Sequence, residues 1–419
     1  MYRLSNTVRD YPWGSSTAIA ELIGAEATGG PEAEMWIGAH PDSPSKASHP
    51  DVDGTTPLNE LIATDPTLFL GEETSTRFGR LPFLAKILAA EKPLSLQVHP
   101  TLEQARAGFA AEEEAGVDRS APHRNYKDDN HKPELLFALT GFSALCGFRA
   151  AHESAALFTW LAETIEADPE LTDENGSAVL AARHTATTLS QGDLRGAFTD
   201  LLSGGQDVVR LVGLASAAVA SGRQTVPDTG LAELESLNGF YPGDPGVLVS
   251  LMLNHITLEP GQAIYLPAGN IHAYLRGLGV EVMASSDNVL RGGLTGKHID
   301  LPELMDTVDF QSLGVPYLEA AKNMLGQEIY RPPFDEFQLQ RIALPGDALL
   351  AGEDVAVAQN GPVTLICVSG DLLLDSPRGD LQLTRGESAF IPAHEAPVVA
   401  KRLGEGPAVA FAVTTAETN

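Results

Sequence analysis

The chain has 419 residues, 43% of them hydrophobic, and a formal net charge of −29 at pH 7. That length suits about two or three domains with cores of their own. The charge speaks against nucleic acid, whose phosphate backbone needs a positive surface, and against anionic membranes; it favours solubility and leaves room for a phosphorylated small molecule held by a few basic residues in one cleft.

The first residues, MYRLSN, lack the apolar core of a secretory signal. No run reaches the ~18 apolar residues that span a bilayer, so the expected location is the cytoplasm. Up to about residue 150 the texture is mixed, with short strand-like runs and many turn residues. Residues 81–88 (LPFLAKIL) and 94–99 (LSLQVH) read as strands. Residues 102–114 (LEQARAGFAAEEE) are good helix formers with few β-branched side chains. Residues 134–139 (ELLFAL) read as a buried strand.

From 151 to 237 the chain is rich in Ala, Leu and Glu. Helical spacing shows in Leu157, Phe158, Trp160 and Leu161, and again in Leu211, Val212, Leu214, Ala217 and Val219. The segments around Asp168 and Asp173 read as loops. Strand character is expected to return at 247–253 (VLVSLML) and to continue past His272. From about 320, β-branched runs alternate with Gly and Pro, as in 363–368 (VTLICV) and 389–392 (AFIP). Such frequent short strands suggest a sandwich or barrel.

An internal repeat supports that expectation. A glycine turn, a short strand and a proline follow in order from Gly261 to Pro267, and again from Gly386 to Pro392. The first copy continues to His272, whereas Pro397 stands at the equivalent place in the second. One barrel is therefore expected to carry a metal and the other not. The two cysteines, Cys146 and Cys367, lie far apart in apolar runs and read as buried core thiols.

The stretch from Gly261 to His272 holds the strongest functional signal. Its second tight turn, Pro267-Ala268-Gly269, precedes a histidine, as at a barrel corner that aims an imidazole inward. Alternate side chains of a strand share a face, so Gln97 and His99 can point into one barrel while Val98 packs outside. Glu134 follows Pro133, whose missing N–H is tolerated at a strand start or edge. Taken singly, none of these residues says much. Together, two imidazoles, one carboxylate and one amide oxygen suit zinc or a similar divalent ion. A Zn²⁺ with one Glu and three neutral ligands keeps a net charge of +1 and stays Lewis-acidic.

Several blocks now fall into a family's order: YPWG at 11–14, AEMWIGAHP at 33–41, PLSLQVHP at 93–100, HKPE at 131–134, HAYL at 272–275 and EVMASSDNVLRGGLTGK at 281–297. In these the chain resembles the type I phosphomannose isomerase family, zinc enzymes of the cupin fold, over nearly its whole length. The resemblance implies a mainly β fold with a helical insertion: two cupin-type jelly-roll β-barrels plus an α-helical domain. The catalytic barrel would comprise 1–150 and 238–319, the insertion 151–237, and a barrel without metal ligands 320–419. It also implies one Zn²⁺ per chain on Gln97, His99, Glu134 and His272, and a catalytic Arg291. Val98 departs from the family's more usual small residue, and Gly292 and Gly296 stand where Ala and Pro are common.

An aldose–ketose isomerase of mannose 6-phosphate must open the sugar ring, take the C2 proton, stabilise an enediol and reprotonate C1. Lys132 and Glu281 compete as the base. His131 is the candidate for ring opening. Arg291 offers a permanently charged fork for phosphate or enediolate oxygens. Lys297 is the phosphate candidate, with Ser95 and Lys86 in support; Trp13, Glu34, His40, Tyr274 and Asp287 are expected to line the pocket. The partner implied is a small sugar phosphate, with no nucleic acid or membrane and a monomer as default. The alternatives are a cupin isomerase for another sugar phosphate, a non-catalytic sugar-binding cupin, or a cupin dioxygenase. Gln97 among the ligands makes the last a poor fit.

Overall fold

The computed structural model describes residues 1–49, 52–322, 327–346 and 354–417. The chain is mainly β with a large helical region, and the pairings between its named strands are antiparallel. Among the described residues three sheets of 11, 9 and 4 strands form.

The strand His272–Ala284 is the spine of the largest sheet. On one side it pairs with Phe83–Ala90, from Gly277 opposite Ala90 to Ala284 opposite Phe83. On the other it pairs with Glu134–Ala138 and, nearer its start, with Phe142–Phe148. Its first residue, His272, lies opposite Gln97. Phe83–Ala90 is buried at all eight positions, which explains its unbroken apolar run with a single charge, Lys86. The expected strands at 81–88 and 134–139 thus appear, shifted by one or two residues, and 94–99 contributes the short strand Leu96–Val98.

The expected helix at 102–114 forms as Leu102–Glu114. Thr101 accepts from Gln104 N–H at its start, and the Gln104 side chain meets the Thr101 backbone N–H in return, a reciprocal cap. The region from 151 is helical too: Ala151–Ala167, Ser177–Ser190, Leu194–Ser203 and Gly205–Ala220 pack on one another around Phe158, Leu161, Phe198 and Leu211. Val98, pointing away from the metal face, joins this core.

The strand expected at 247–253 is a correction. Gly246–Val249 is an α-helical turn, Ser250–Met252 a 3₁₀ turn, and strand begins only at Leu253. Asp244 Oδ1 accepts Gly246 N–H at 2.7 Å, and Pro245 stands beside it, both helix-start residues. The apolar run is buried on all sides in the helical core, a setting in which periodicity does not separate strand from helix.

The repeat has the same local structure in both copies. Gly261 and Gly386 take positive φ values of 96° and 88°, and each leads into a four-residue strand, Ala263–Leu266 or Ser388–Ile391. The second copy lies in the nine-stranded sheet. There Ser388–Ile391 pairs with Tyr2–Ser5, which in turn pairs with Lys46–His49, so early and late segments of the chain share one sheet. Both cysteines are buried and free, as expected.

Candidate metal centre

The turn before His272 is built as its sequence suggests. Gly269, with φ of 79°, lets the chain reverse, and its N–H donates to the His99 carbonyl at 2.9 Å. His272 Nδ1 donates to the Asn270 carbonyl at 3.0 Å. His99 Nδ1 donates to the Asn288 carbonyl at 2.8 Å. A carbonyl only accepts, so each imidazole carries a proton on Nδ1 and turns Nε2 inward.

Both Nε2 atoms face Glu134. His99 Nε2 lies 3.2 Å from Oε1 and His272 Nε2 lies 3.4 Å from Oε2. All three side chains are buried. The cavity around His99 pushes its pKa down to about 4, through burial first and then the charge of Lys132. Burial alone would raise Glu134, but Lys132 and His99 hold it well below the usual carboxylate range. Around neutral pH a neutral imidazole therefore confronts an ionised carboxylate, acceptor against acceptor. His99 Nε2 has no hydrogen-bond partner among the described residues. The ligand atoms of His99, Glu134 and His272 lie within 4.8 Å of one another, a set that fits a bound cation.

Gln97 stands next to this set. It lies opposite His272 on one strand and opposite Arg291 on the other, and opposite residues of an antiparallel pair share a face. Gln97 and Arg291 line a cleft of about 520 Å³ together with Trp13, Glu34, Lys86, Ser95, Lys132, Asp287 and Lys297. Nine expected site residues thus meet at one opening.

Four more are placed elsewhere. Tyr274 is buried beneath the cleft, its hydroxyl 3.5 Å from Glu134 Oε2. His40 is buried with Nε2 3.6 Å from Asp287 Oδ1, and burial lowers its pKa. Glu281 is buried against Lys86 Nζ at 2.9 Å; burial raises its pKa, Lys86 opposes this, and the carboxylates of Glu134 and Glu34 add to it. His131 turns Nε2 to Glu336 Oε1 at 2.6 Å and does not line the cleft. Lys132, by contrast, reaches Glu134 Oε1 at 3.1 Å.

Lys86 lies between Glu281 and Glu34, the latter at 3.5 Å, and over the Trp36 ring. Burial would lower its pKa, but those carboxylates raise it above the ordinary lysine value, so it stays charged. Sequence reasoning missed Arg9, Tyr11, Asp42, Lys127 and Tyr241, which also line the cleft. Arg9 packs over the rings of Tyr11 and Trp36; its position two residues before Tyr11 was the one available signal. Among the described residues none of Arg9, Lys127, Arg291 and Lys297 is paired with a carboxylate. The Lys297 pKa is lowered by burial and then by Arg291 and Lys127, a sign of how closely these cations crowd.

A buried ligand set beside a cleft of unpaired cations defines a metal-binding site for an anionic small molecule, on a mainly β scaffold. Comparison with known proteins agrees. Residues 1–151 match the catalytic domain of phosphomannose isomerase type I. The chain is 40% identical over 407 residues to mannose-6-phosphate isomerase of Escherichia coli (strain K12), covering 96% of this chain and 98% of that one. It is 33% identical to the Homo sapiens mannose-6-phosphate isomerase, covering 94% of each. A crystal structure of mannose 6-phosphate isomerase bound with zinc and yttrium superposes with a TM-score of 0.84 at 37% identity, covering 98% of each chain. A mutant phosphomannose isomerase from Salmonella typhimurium gives 0.86 at 37% identity over the whole of both chains. The chain belongs to the type I phosphomannose isomerase family.

Proposed function

We propose that this chain is a zinc-dependent aldose–ketose isomerase that interconverts mannose 6-phosphate and fructose 6-phosphate. The observation that carries this reading is the pairing of the bare His99–Glu134–His272 donor set with four unpaired cations in one cleft. In a protein of net charge −29, unpaired cations gathered at one opening serve an anionic ligand. Gln97, His99, Glu134 and His272 would hold the zinc, whose charge would favour negative charge developing on the sugar's O1 and O2.

The chain's own groups divide the remaining work. Lys297 and Ser95 hold the phosphate. Arg291, half-buried and charged, takes substrate oxygens in its fork. Lys132 is the basic group of the cleft that lies beside the metal ligands, and it is the group that moves the proton between C2 and C1. Glu281 is left a positioning part, since it is buried on Lys86 rather than open to the cleft. Tyr274 orients Glu134, and Trp13, Glu34, His40 and Asp287 shape the walls. His131 stays a candidate for ring opening, reached by turning from Glu336 toward the cleft. Sheets of this antiparallel kind suit two jelly-roll barrels of the cupin type, divided as 1–150 with 238–319 and 320–419 around the insertion 151–237. In the cell the enzyme would work in the cytoplasm as a monomer.

The test is a coupled assay with mannose 6-phosphate run beside glucose 6-phosphate and unphosphorylated mannose. Turnover of the first alone supports the reading; equal or better turnover of another sugar phosphate contradicts it.

A further inference from the structure

Asn288 lies three residues before Arg291, and its side chain is fully buried. Its oxygen accepts the backbone N–H of Lys127 at 2.7 Å and of Asp128 at 3.2 Å. Its nitrogen donates to the backbone oxygens of Asp128 at 2.7 Å and Asn130 at 2.8 Å. Its own carbonyl accepts from His99 Nδ1. The turn on which it sits adds to the same seam: Ser286 Oγ lies 2.8 Å from Asp128 Oδ1, and Asp287 N–H donates to Asp128 Oδ2 at 2.8 Å.

We propose that Asn288 is a positioning residue that fixes the 127–132 segment, and with it Lys127 and Lys132, against the imidazole of His99. One residue thereby sets the distance between the basic groups of the cleft and the metal ligands. Only an amide of this length supplies two donors and a two-fold acceptor at one point. Asp lacks the donors, and Ser and Ala do not reach. Fully met buried networks of this kind rigidify and select one arrangement. Without the side chain, the N–H groups of Lys127 and Asp128 and the Asp128 carbonyl lose their partner, the Asn130 carbonyl keeps Ser286 Oγ, and the segment moves relative to His99. The bond to His99 comes from the main chain, so side-chain replacement leaves that ligand's tautomer in place. This separates the positioning of Lys132 from the holding of metal.

The inference rests on the isomerase reading, and the test keeps the two apart. Asn288→Ala is made in the full chain, and kcat and KM for mannose 6-phosphate are taken per zinc-loaded chain. Hydrogen exchange of the 127–132 amides is followed with and without zinc. The expected result is a kcat lower by about 10²-fold, the cost of roughly 1 Å of misplacement. KM rises by no more than about 3-fold, because Lys297 and Ser95 lie outside the displaced segment and of the cleft's unpaired cations Lys127 alone lies within it. Zinc stays at one per chain, and exchange at 127–132 quickens in both states. Ser286→Ala, which removes the hydroxyl's contacts with Asp128 Oδ1, the Asn130 carbonyl and the Asn288 N–H, is expected to show the same pattern at about ten-fold in kcat, and it decides the matter if Asn288→Ala does not fold. An unchanged kcat per zinc-loaded chain, or unchanged exchange at 127–132, overturns the proposal. If the parent protein itself does not turn over mannose 6-phosphate, the isomerase reading fails and the exchange result alone decides the positioning role.

Discussion

Arg291 and Gln97 lie directly opposite each other across an antiparallel strand pair. Gln97 faces His272 on its other side, so a cation, an amide and an imidazole form a row across three strands, with one face in common. The row ties the substrate cleft to the metal ligands through hydrogen-bonded backbone rather than through a loop. Its spacing is as rigid as the sheet.

Arg291 is thereby held at the cleft on the same face as Gln97 and His272. Arg291→Ala is expected to lower kcat by about 10²–10³-fold, the usual cost of losing one preorganised charge or donor at a developing anion. Zinc content stays at the parent value, since Arg291 is not a ligand. Steady-state kinetics with metal analysis on the same sample checks this, and full turnover would remove Arg291 from the mechanism.

Glu134 is shared by His99, His272, Lys132 and Tyr274. Glu134→Gln keeps the shape but removes the charge that the donor set needs. The expected outcome is loss of bound zinc and of activity together after dialysis, measured by elemental analysis. A variant that keeps both would show that the carboxylate is not a ligand.

These candidate ligands were the most legible part of the chain. Gln97 and His99 stand at alternate positions of one strand, and Pro267 with Gly269 marks the turn that delivers His272; both signals are local. Cys146 and Cys367 were readable for the same reason, from apolar neighbours on either side. Long-range features left no such trace. Nothing near Tyr2 announces that it will pair with Phe390. Lys86 and Glu281 are charged residues in apolar strands, and only the fold shows that they satisfy each other beneath the cleft. The partner of His131, Glu336, is 205 residues away. The helical turns at 246–252 were misread because an apolar run buried on every side carries no period.

Lys86 Nζ lies between two buried carboxylates, Glu34 and Glu281. Lys86→Met removes the charge with little change of volume. Breaking a buried pair from one side costs about 3–5 kcal/mol, so a lower denaturation midpoint is expected alongside lost activity. An unchanged midpoint would mean that the two carboxylates are protonated without hardship.

Acid sensitivity of the metal-free protein follows from His99. Its folded pKa, about 4, lies below its ordinary value of 6.5. The unfolded chain therefore binds more protons between those limits, and stability falls as pH falls through that window. The shift is worth about 3 kcal/mol in all. Glu134, also depressed, acts in the same direction at lower pH. Urea midpoints of the chelated protein at pH 7 and pH 4.5 are expected to differ by a margin that His99→Ala narrows. Equal margins in the two proteins would contradict the burial of a neutral imidazole.

The most direct test of the central claim is zinc titrated against activity. The protein is stripped with a chelator, and mannose 6-phosphate isomerisation is measured as zinc is returned in known amounts. Activity that is absent at first and rises linearly to a plateau at one zinc per chain is the expected result. Full activity in the stripped protein, or none at saturating zinc, would contradict a zinc-dependent isomerase built on Gln97, His99, Glu134 and His272.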